Sequence, residues 1–453
     1  MVAVLATAFT ACGTSGGGGE RQVLVDYSPD DVATFVAADF PAKVTVKPGE
    51  TIVFKQTWTG EPHTVTGGTT TSNVVGHFNE WLGLFNGYTD LAQRNHEMVN
   101  PDGPTHATFA EFATKLKAAK PAKDAEKVVA SWRSLQADYP ELPNIDNPPD
   151  VPFDDVNSMI DRLSSPRDLL EATSDQSTVN QNVAQPCYLG SGAPPTDPAQ
   201  ACTSAQQRQP AFDGTQSFYN SGVLPYSGPR GNTFRMPIAK TTKPGAYFFY
   251  CAVHGPGQQV EVDVVKSTAK IASSSREARE ARKAAESAVA PLVRTFRDAR
   301  DDGKITFEGH KVTGPFAGLP SGGSIHATVN EFIPRRIEAK AGEPITWKVV
   351  GNHTISFDVP AYLPILQFSP KKISYNPKVH GIAGGAPEVP PQDENDHGPQ
   401  KFDAGTYDGT GFWSSGLMGA DPFLEYTLRI AKPGTYAYAC LVHPKMIGQI
   451  VVR

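Results

Sequence analysis

Cysteine, methionine and histidine are all scarce in this chain. Five cysteines in 453 residues exclude a disulfide-dense scaffold, whose small core would have to be stapled. Six methionines form no cluster of thioethers. No two of the eleven histidines are separated by a single residue, so paired imidazoles on one strand face are excluded. Charged residues make up 19% of the chain, for a net charge of −6 and no basic run, which gives no reason to expect nucleic acid or an anionic membrane surface as partner. No apolar run approaches the ~20 residues needed to span a bilayer. Glycine and proline, in contrast, are abundant (41 and 39). Many turns and an ordinary hydrophobic fraction of 39% point to a folded, mainly β protein.

Two stretches stand out. Tyr-Phe-Phe-Tyr-Cys251-Ala-Val-His254 and Tyr-Ala-Tyr-Ala-Cys440-Leu-Val-His443 each follow a Lys-Pro-Gly turn and precede a second β-rich segment. A thiolate and an imidazole held together on one loop between strands form a soft, mixed donor pair suited to copper. A matching histidine lies far upstream in each case, just after a strand-like run: His63 in Glu61-Pro-His63-Thr-Val and His353 in Gly351-Asn-His353-Thr-Ile. Two imidazoles and one thiolate with a weak axial ligand make a mononuclear copper site.

These pieces belong to a larger internal repeat. Val44-Thr-Val-Lys-Pro-Gly-Glu50 pairs with Ile337-Glu-Ala-Lys-Ala-Gly-Glu343, and Phe212-Asp-Gly-Thr215 with Tyr407-Asp-Gly-Thr410. Alternating apolar residues such as Val44, Val46, Ile52 and Phe54 predict strands in a sandwich. The expected organisation is a signal segment and tether over 1–21, a first domain over 22–267 with a helical insertion at about 76–209, a helical linker over 268–303 and a second domain over 304–453. In the insertion, Thr108-Phe-Ala-Glu111 is a capping box, and Val128, Val129, Trp132 and Leu135 mark a second helix; both are expected to pack as a lid on the sandwich. The linker helix is expected to be split or kinked at Pro291, with a solvated first half acting as a strut. Gly381 to Phe402 is expected to be a mobile surface loop.

The strands and the site loops together resemble cupredoxins. Cys440-Leu-Val-His443-Pro-Lys-Met446 is similar to the amicyanin loop, which implies Met446 as axial ligand. The first loop, Cys251-Ala-Val-His254-Gly-Pro-Gly-Gln258-Gln259, has no methionine; plastocyanin-type spacing puts Gln259 there, with Gln258 or no ligand as alternatives. The resemblance implies two Greek-key β-sandwiches, two type 1 copper ions and an electron carrier rather than an enzyme. It also implies that His254 and His443 reach the surface where redox partner proteins, or a membrane respiratory complex, dock. The absence of His-x-His argues against an oxidase or nitrite reductase, which need further imidazoles at the domain interface. Copper storage or delivery is the alternative reading.

Three cysteines remain. Val2 to Ala11, then Cys12 and a run of glycines, resemble a bacterial lipoprotein signal, which implies lipidation at Cys12, export and anchoring to a membrane. The segment lacks the basic start of such a signal. Cys187 and Cys202 lie in a segment too rich in Pro, Gly and Ser to bury them as thiols, and they are expected to form a disulfide contributing roughly 3 kcal/mol.

Overall fold

The computed structural model describes residues 19–56, 59–69, 108–138, 140, 142–151, 210–216, 218–224, 233–307, 310–321, 324–359, 366–368, 373–376, 381–390, 400–419, 424–443 and 445–453. Cys12, Cys187 and Cys202, and with them the lipidation and disulfide expectations, lie outside the described residues.

Strict alternation builds the strands. In Leu424–Ile430 every second side chain, Leu424, Tyr426, Leu428 and Ile430, is buried, the period-2 pattern of a strand with one face on a core. The protein is mainly β, organised as two pairs of sheets. In the first pair a four-stranded sheet runs Asp39–Phe40, Glu20–Val25, Thr51–Gln56, Thr233–Pro237. Its five-stranded partner runs Lys43–Val46, Gly255–Val264, Gly245–Cys251, Thr66–Gly67, Tyr219–Asn220. Val23, Ile52, Phe54 and Met236 meet Val44, Phe249, Val260 and Val262 in one core.

The second pair repeats this plan. A six-stranded sheet contains Phe316–Ser321, Pro344–Val349, Leu424–Ile430 and Gln400–Tyr407, and faces a five-stranded sheet containing Gly434–Ala439, Ile447–Val452 and Trp413–Ser414. Trp347, Tyr426, Tyr438 and Ile450 fill its core. Small features repeat as well. Tyr247 and Tyr436 donate through their hydroxyls to the Lys243 and Lys432 carbonyls, each at 2.9 Å, and Asp213 and Asp408 each accept from the backbone N–H two residues on.

The two sandwiches are knitted together. Thr34–Val36, from the first part of the chain, joins the second sandwich's sheet, antiparallel to Ala327–Val329. The helix Ser274–Ala299, capped by the Ser273 hydroxyl accepting from the Arg276 N–H, was expected to be a solvated strut. It is instead a wedge. Ala281 and Ala285 in its first half are buried with Val289, Leu292 and Phe296, against Phe40 of the first sandwich's sheet and Val36, Phe316, Leu319 and Val329 of the second's. Small alanines let the helix approach both sheets closely. It also runs unbroken through Pro291, because one buried face continues on both sides of the proline and tertiary packing outweighs local propensity.

In the insertion, the Thr108 hydroxyl accepts from the Glu111 N–H to start Phe109–Ala118, and Ala122–Asp138 follows. Phe109 and Phe112 pack on Trp132 of the second helix, with ring centroids 4.9 and 6.2 Å apart. Part of the expected mobile loop is pinned: Ala383 exchanges two backbone hydrogen bonds with Ser414, Ala386 joins the second core, and Gln400–Tyr407 is a strand.

Arg21 anchors the wedge helix to the first sheet. Its guanidinium donates to Glu277 at 2.7 Å, to the Ala272 carbonyl at 2.6 Å and to Glu50 at 3.2 Å, with only 6% of its side chain exposed. Removing one member of a buried ion-pair network strands the others without compensation, so Arg21→Ala should cost about 3 kcal/mol. Chemical denaturation checks this, and an unchanged midpoint would contradict the anchoring role.

Candidate metal centres

Each centre begins with a histidine clipped between strands. His63 exchanges backbone hydrogen bonds with Leu224, and His353 with Met418. The residue after each histidine then ties it to its cysteine. The Thr64 N–H points at Cys251 Sγ (3.3 Å) and the Thr354 N–H at Cys440 Sγ (3.4 Å). The hydroxyls of the same threonines accept from the Ala252 and Leu441 N–H groups, both at 2.8 Å, and hydrogen-bond on to Thr66 and Ser356. A second pair of hydroxyls, on Ser221 and Ser415, holds the Val65 and Ile355 N–H groups. A His-Thr-aliphatic-Thr/Ser run in both repeats was the sequence signal for this clamp, and only its histidine was singled out from sequence.

The clamp brings together the predicted ligands His63, Cys251 and His254 in one group and His353, Cys440 and His443 in the other. Every imidazole turns Nδ1 inward. Cys251 Sγ is 3.9 Å from His63 Nδ1 and 3.5 Å from His254 Nδ1; the corresponding distances at Cys440 are again 3.9 and 3.5 Å. His353 Nδ1 and His443 Nδ1 are 3.0 Å apart. A single ion bound at about 2.0–2.3 Å in a trigonal plane would hold such donors about 3.5–3.7 Å apart; the separations here, 3.0 to 3.9 Å, bracket that range, so the residues present fit a metal of this type after small side-chain shifts.

The residue offered as a fourth donor differs between the two loops. In the second, Met446 is fully buried; its N–H donates to the His443 carbonyl and its carbonyl accepts from the Cys440 N–H, both at 3.0 Å. In the first, the glutamine brought to the site is Gln258, not Gln259. Gln258 is fully buried, with Oε1 3.0 Å from His63 Nδ1 and its amide donating to Asp39 at 3.3 Å. Gln259 is the next strand residue, in register with Tyr250, and alternation puts it on the opposite face. Counting positions past His254 misses this because the strand register shifts between Tyr250 and Cys251.

Charge is arranged around both sulfurs. Burial pushes the Cys251 and Cys440 thiols up, but the adjacent imidazoles outweigh it and hold both well below the usual range. Against their own desolvation, His254 and His443 are raised to about 9, chiefly by the cysteine facing each. His63 is raised to about 10, with the Asp26 carboxylate 3.4 Å from Nε2 as the main favourable contact. His353 has no such carboxylate and burial lowers it; its ring instead fits against Gly318, where a Cβ would stand 2.3 Å from Nε2. Asp26 itself is held by the Tyr27 and Val36 N–H groups and the Thr59 hydroxyl, the outer-shell support expected of a metal-ligating histidine.

The outer edges of the centres depart from expectation. His443 is 2% exposed and His254 16% on its side chain. The surface contact that the sequence resemblance implied is thus closed at His443, while His254 keeps partial exposure. Both Nε2 atoms face Glu61, at 3.0 Å from His443 and 3.8 Å from His254. Sequence reading passed over Glu61; the signal was that the repeat places Gly351 where the first copy has this carboxylate.

The sequence matches no family model and no curated protein. Among solved structures the chain is similar to the oxidised form of plastocyanin from Dryopteris crassirhizoma (22% identity, 27% of this chain and 89% of that one, TM-score 0.14). It is also similar to a purple cupredoxin from Nitrosopumilus maritimus (16%, 27% and 83%, TM-score 0.15) and to amicyanin from Paracoccus versutus (15%, 31% and 81%, TM-score 0.14).

A metal ion takes Nδ1 only when that nitrogen carries no proton. Since His254 and His443 hold theirs up to about 9, apparent affinity at both centres should rise from mildly acidic pH, levelling near 9 at the second. The first centre should rise more steeply and level only near 10, because His63 also retains a proton. Chelator competition across that range measures it; affinity that does not vary with pH would contradict the assignment.

Proposed function

We propose that the chain is a copper-binding electron-transfer protein with two type 1 centres, one built from His63, Cys251, His254 and Gln258, the other from His353, Cys440, His443 and Met446. The observation that carries this reading is the duplicated donor set, two Nδ1 atoms and one thiolate sulfur each, converging at matching distances in two buried sites. Copper bound there supplies a one-electron couple. The protein's part is to keep the donors in place in both redox states: the Thr64 and Thr354 N–H groups share the sulfur's charge, and the surrounding core excludes water from it. Burial of five of the six ligands favours holding an ion over exchanging it, which sets this reading above storage or delivery. Lipidation at Cys12 and a glycine tether would place the centres outside the cytoplasm, beside a membrane that carries the redox partner.

Copper held beside Gln258 in one centre and Met446 in the other would have unequal potentials, since a weak fourth ligand tunes the couple. Copper-loaded protein should contain two ions per chain and show intense thiolate-to-copper absorption, and Cys440→Ser should remove one component and leave the other. A colourless, copper-replete protein would overturn the reading. Gln258→Met should raise the potential of the first centre, while Gln259→Met should leave it unchanged; voltammetry on the Cys440→Ser background distinguishes them.

A further inference from the structure

Glu61 is shared by the two centres. Its carboxylate lies between the first centre's His254 and the second centre's His443, one oxygen facing each Nε2, and only 15% of its side chain is exposed. The surrounding surfaces are built for this approach. Gly60 has φ +107, and a Cβ on it would stand 2.1 Å from the Val442 carbonyl oxygen and 3.1 Å from the His443 Cα, so only glycine lets the Glu61 loop come this near the second ligand loop. Phe35 closes the first centre's side. It belongs to the strand that pairs with the second sandwich, in register with Thr328, and its ring packs on His254 at 4.9 Å and His63 at 6.0 Å. The two centres therefore face one another across a largely buried interface.

We propose that Glu61 is a positioning residue common to both centres, and that the path His254–Glu61–His443 carries the electron exchanged between them. The proposal rests on the two-copper reading above. The His443 Nε2–H donates to one Glu61 oxygen at 3.0 Å, and the other oxygen faces His254 Nε2 at 3.8 Å, an electrostatic contact beyond hydrogen-bond range. One carboxylate thus faces both rings from the side away from the thiolates, the outer-shell role in which a carboxylate orients a metal-ligating histidine. In the exchange one electron leaves the reduced centre and enters the oxidised one. No bond forms or breaks, and both Nε2 protons stay on their rings. Because this path occupies the edge through which a lone centre would meet a partner, the chain works as an internal two-centre relay.

The test uses the full chain with copper at both centres. A pulse of a small one-electron reductant reduces the protein, and exchange between the two absorption components is followed in wild type, Glu61→Ala and Gly60→Ala. Wild type should show a first-order exchange independent of protein concentration. Glu61→Ala should slow it with both components retained, and Gly60→Ala, which forces the loops apart, should slow it too. Proton NMR of the metal-free protein gives a second readout: a slowly exchanging His443 Nε2–H resonance, held by Glu61 and lost in Glu61→Ala. An unchanged exchange rate in Glu61→Ala with both components present, or retention of that resonance, would overturn the relay and leave the two centres standing. Absence of the two components in wild type would overturn the copper reading and the relay together.

Discussion

A backbone N–H aimed at a buried sulfur organises each half of this molecule. Thr64 and Thr354 each follow the upstream histidine directly and reach the cysteine with their own amide. A thiolate in a core is costly unless hydrogen bonds and nearby positive charge compensate it. One strand end supplies both forms of compensation, the N–H from the threonine and the imidazole from the histidine. The threonine hydroxyl then fixes the residue after the cysteine. The sandwich serves this arrangement: its two sheets bring together residues separated by 187 positions in the first half and 86 in the second, and the same distances result.

The differences between the halves carry as much meaning as the repeat. The first centre has two carboxylates nearby, Asp26 at His63 and Asp39 at the Gln258 amide. Burial and the neighbouring Cys251 raise Asp39 to about 7. The second centre has Met446 and an upstream histidine lodged against glycine. The upstream-histidine side is thus polar and proton-rich in the first centre and apolar in the second, while Glu61 lies against the downstream histidine of each. On the proposed copper reading, two unequal centres on one chain would give electron flow an internal direction, with Glu61, whose place in the second copy is taken by Gly351, lying between them.

Much of this was legible in the sequence. The histidine–cysteine–histidine sets, the sandwich strands and the capping box at Thr108 follow from local pattern, because each depends on neighbours within a few residues or on alignment of the repeat. What the sequence hid depended on tertiary placement. A register shift beside Cys251 moved the glutamine at the site from position 259 to 258. Ala281 and Ala285 read as a solvated helix face because small residues give little hydrophobic signal, yet their size is what lets the helix wedge between the sheets. Glu61 acts on a histidine 382 residues away, and no local motif marks it.

The central claim is that two copper centres face one another within a single chain. Pulsed dipolar EPR on the doubly oxidised, copper-loaded protein tests it most directly. The account predicts a single short copper–copper distance, unchanged on dilution and abolished in Cys251→Ser. Two coppers per chain with no intramolecular dipolar coupling, or with a broad spread of long distances, would contradict it.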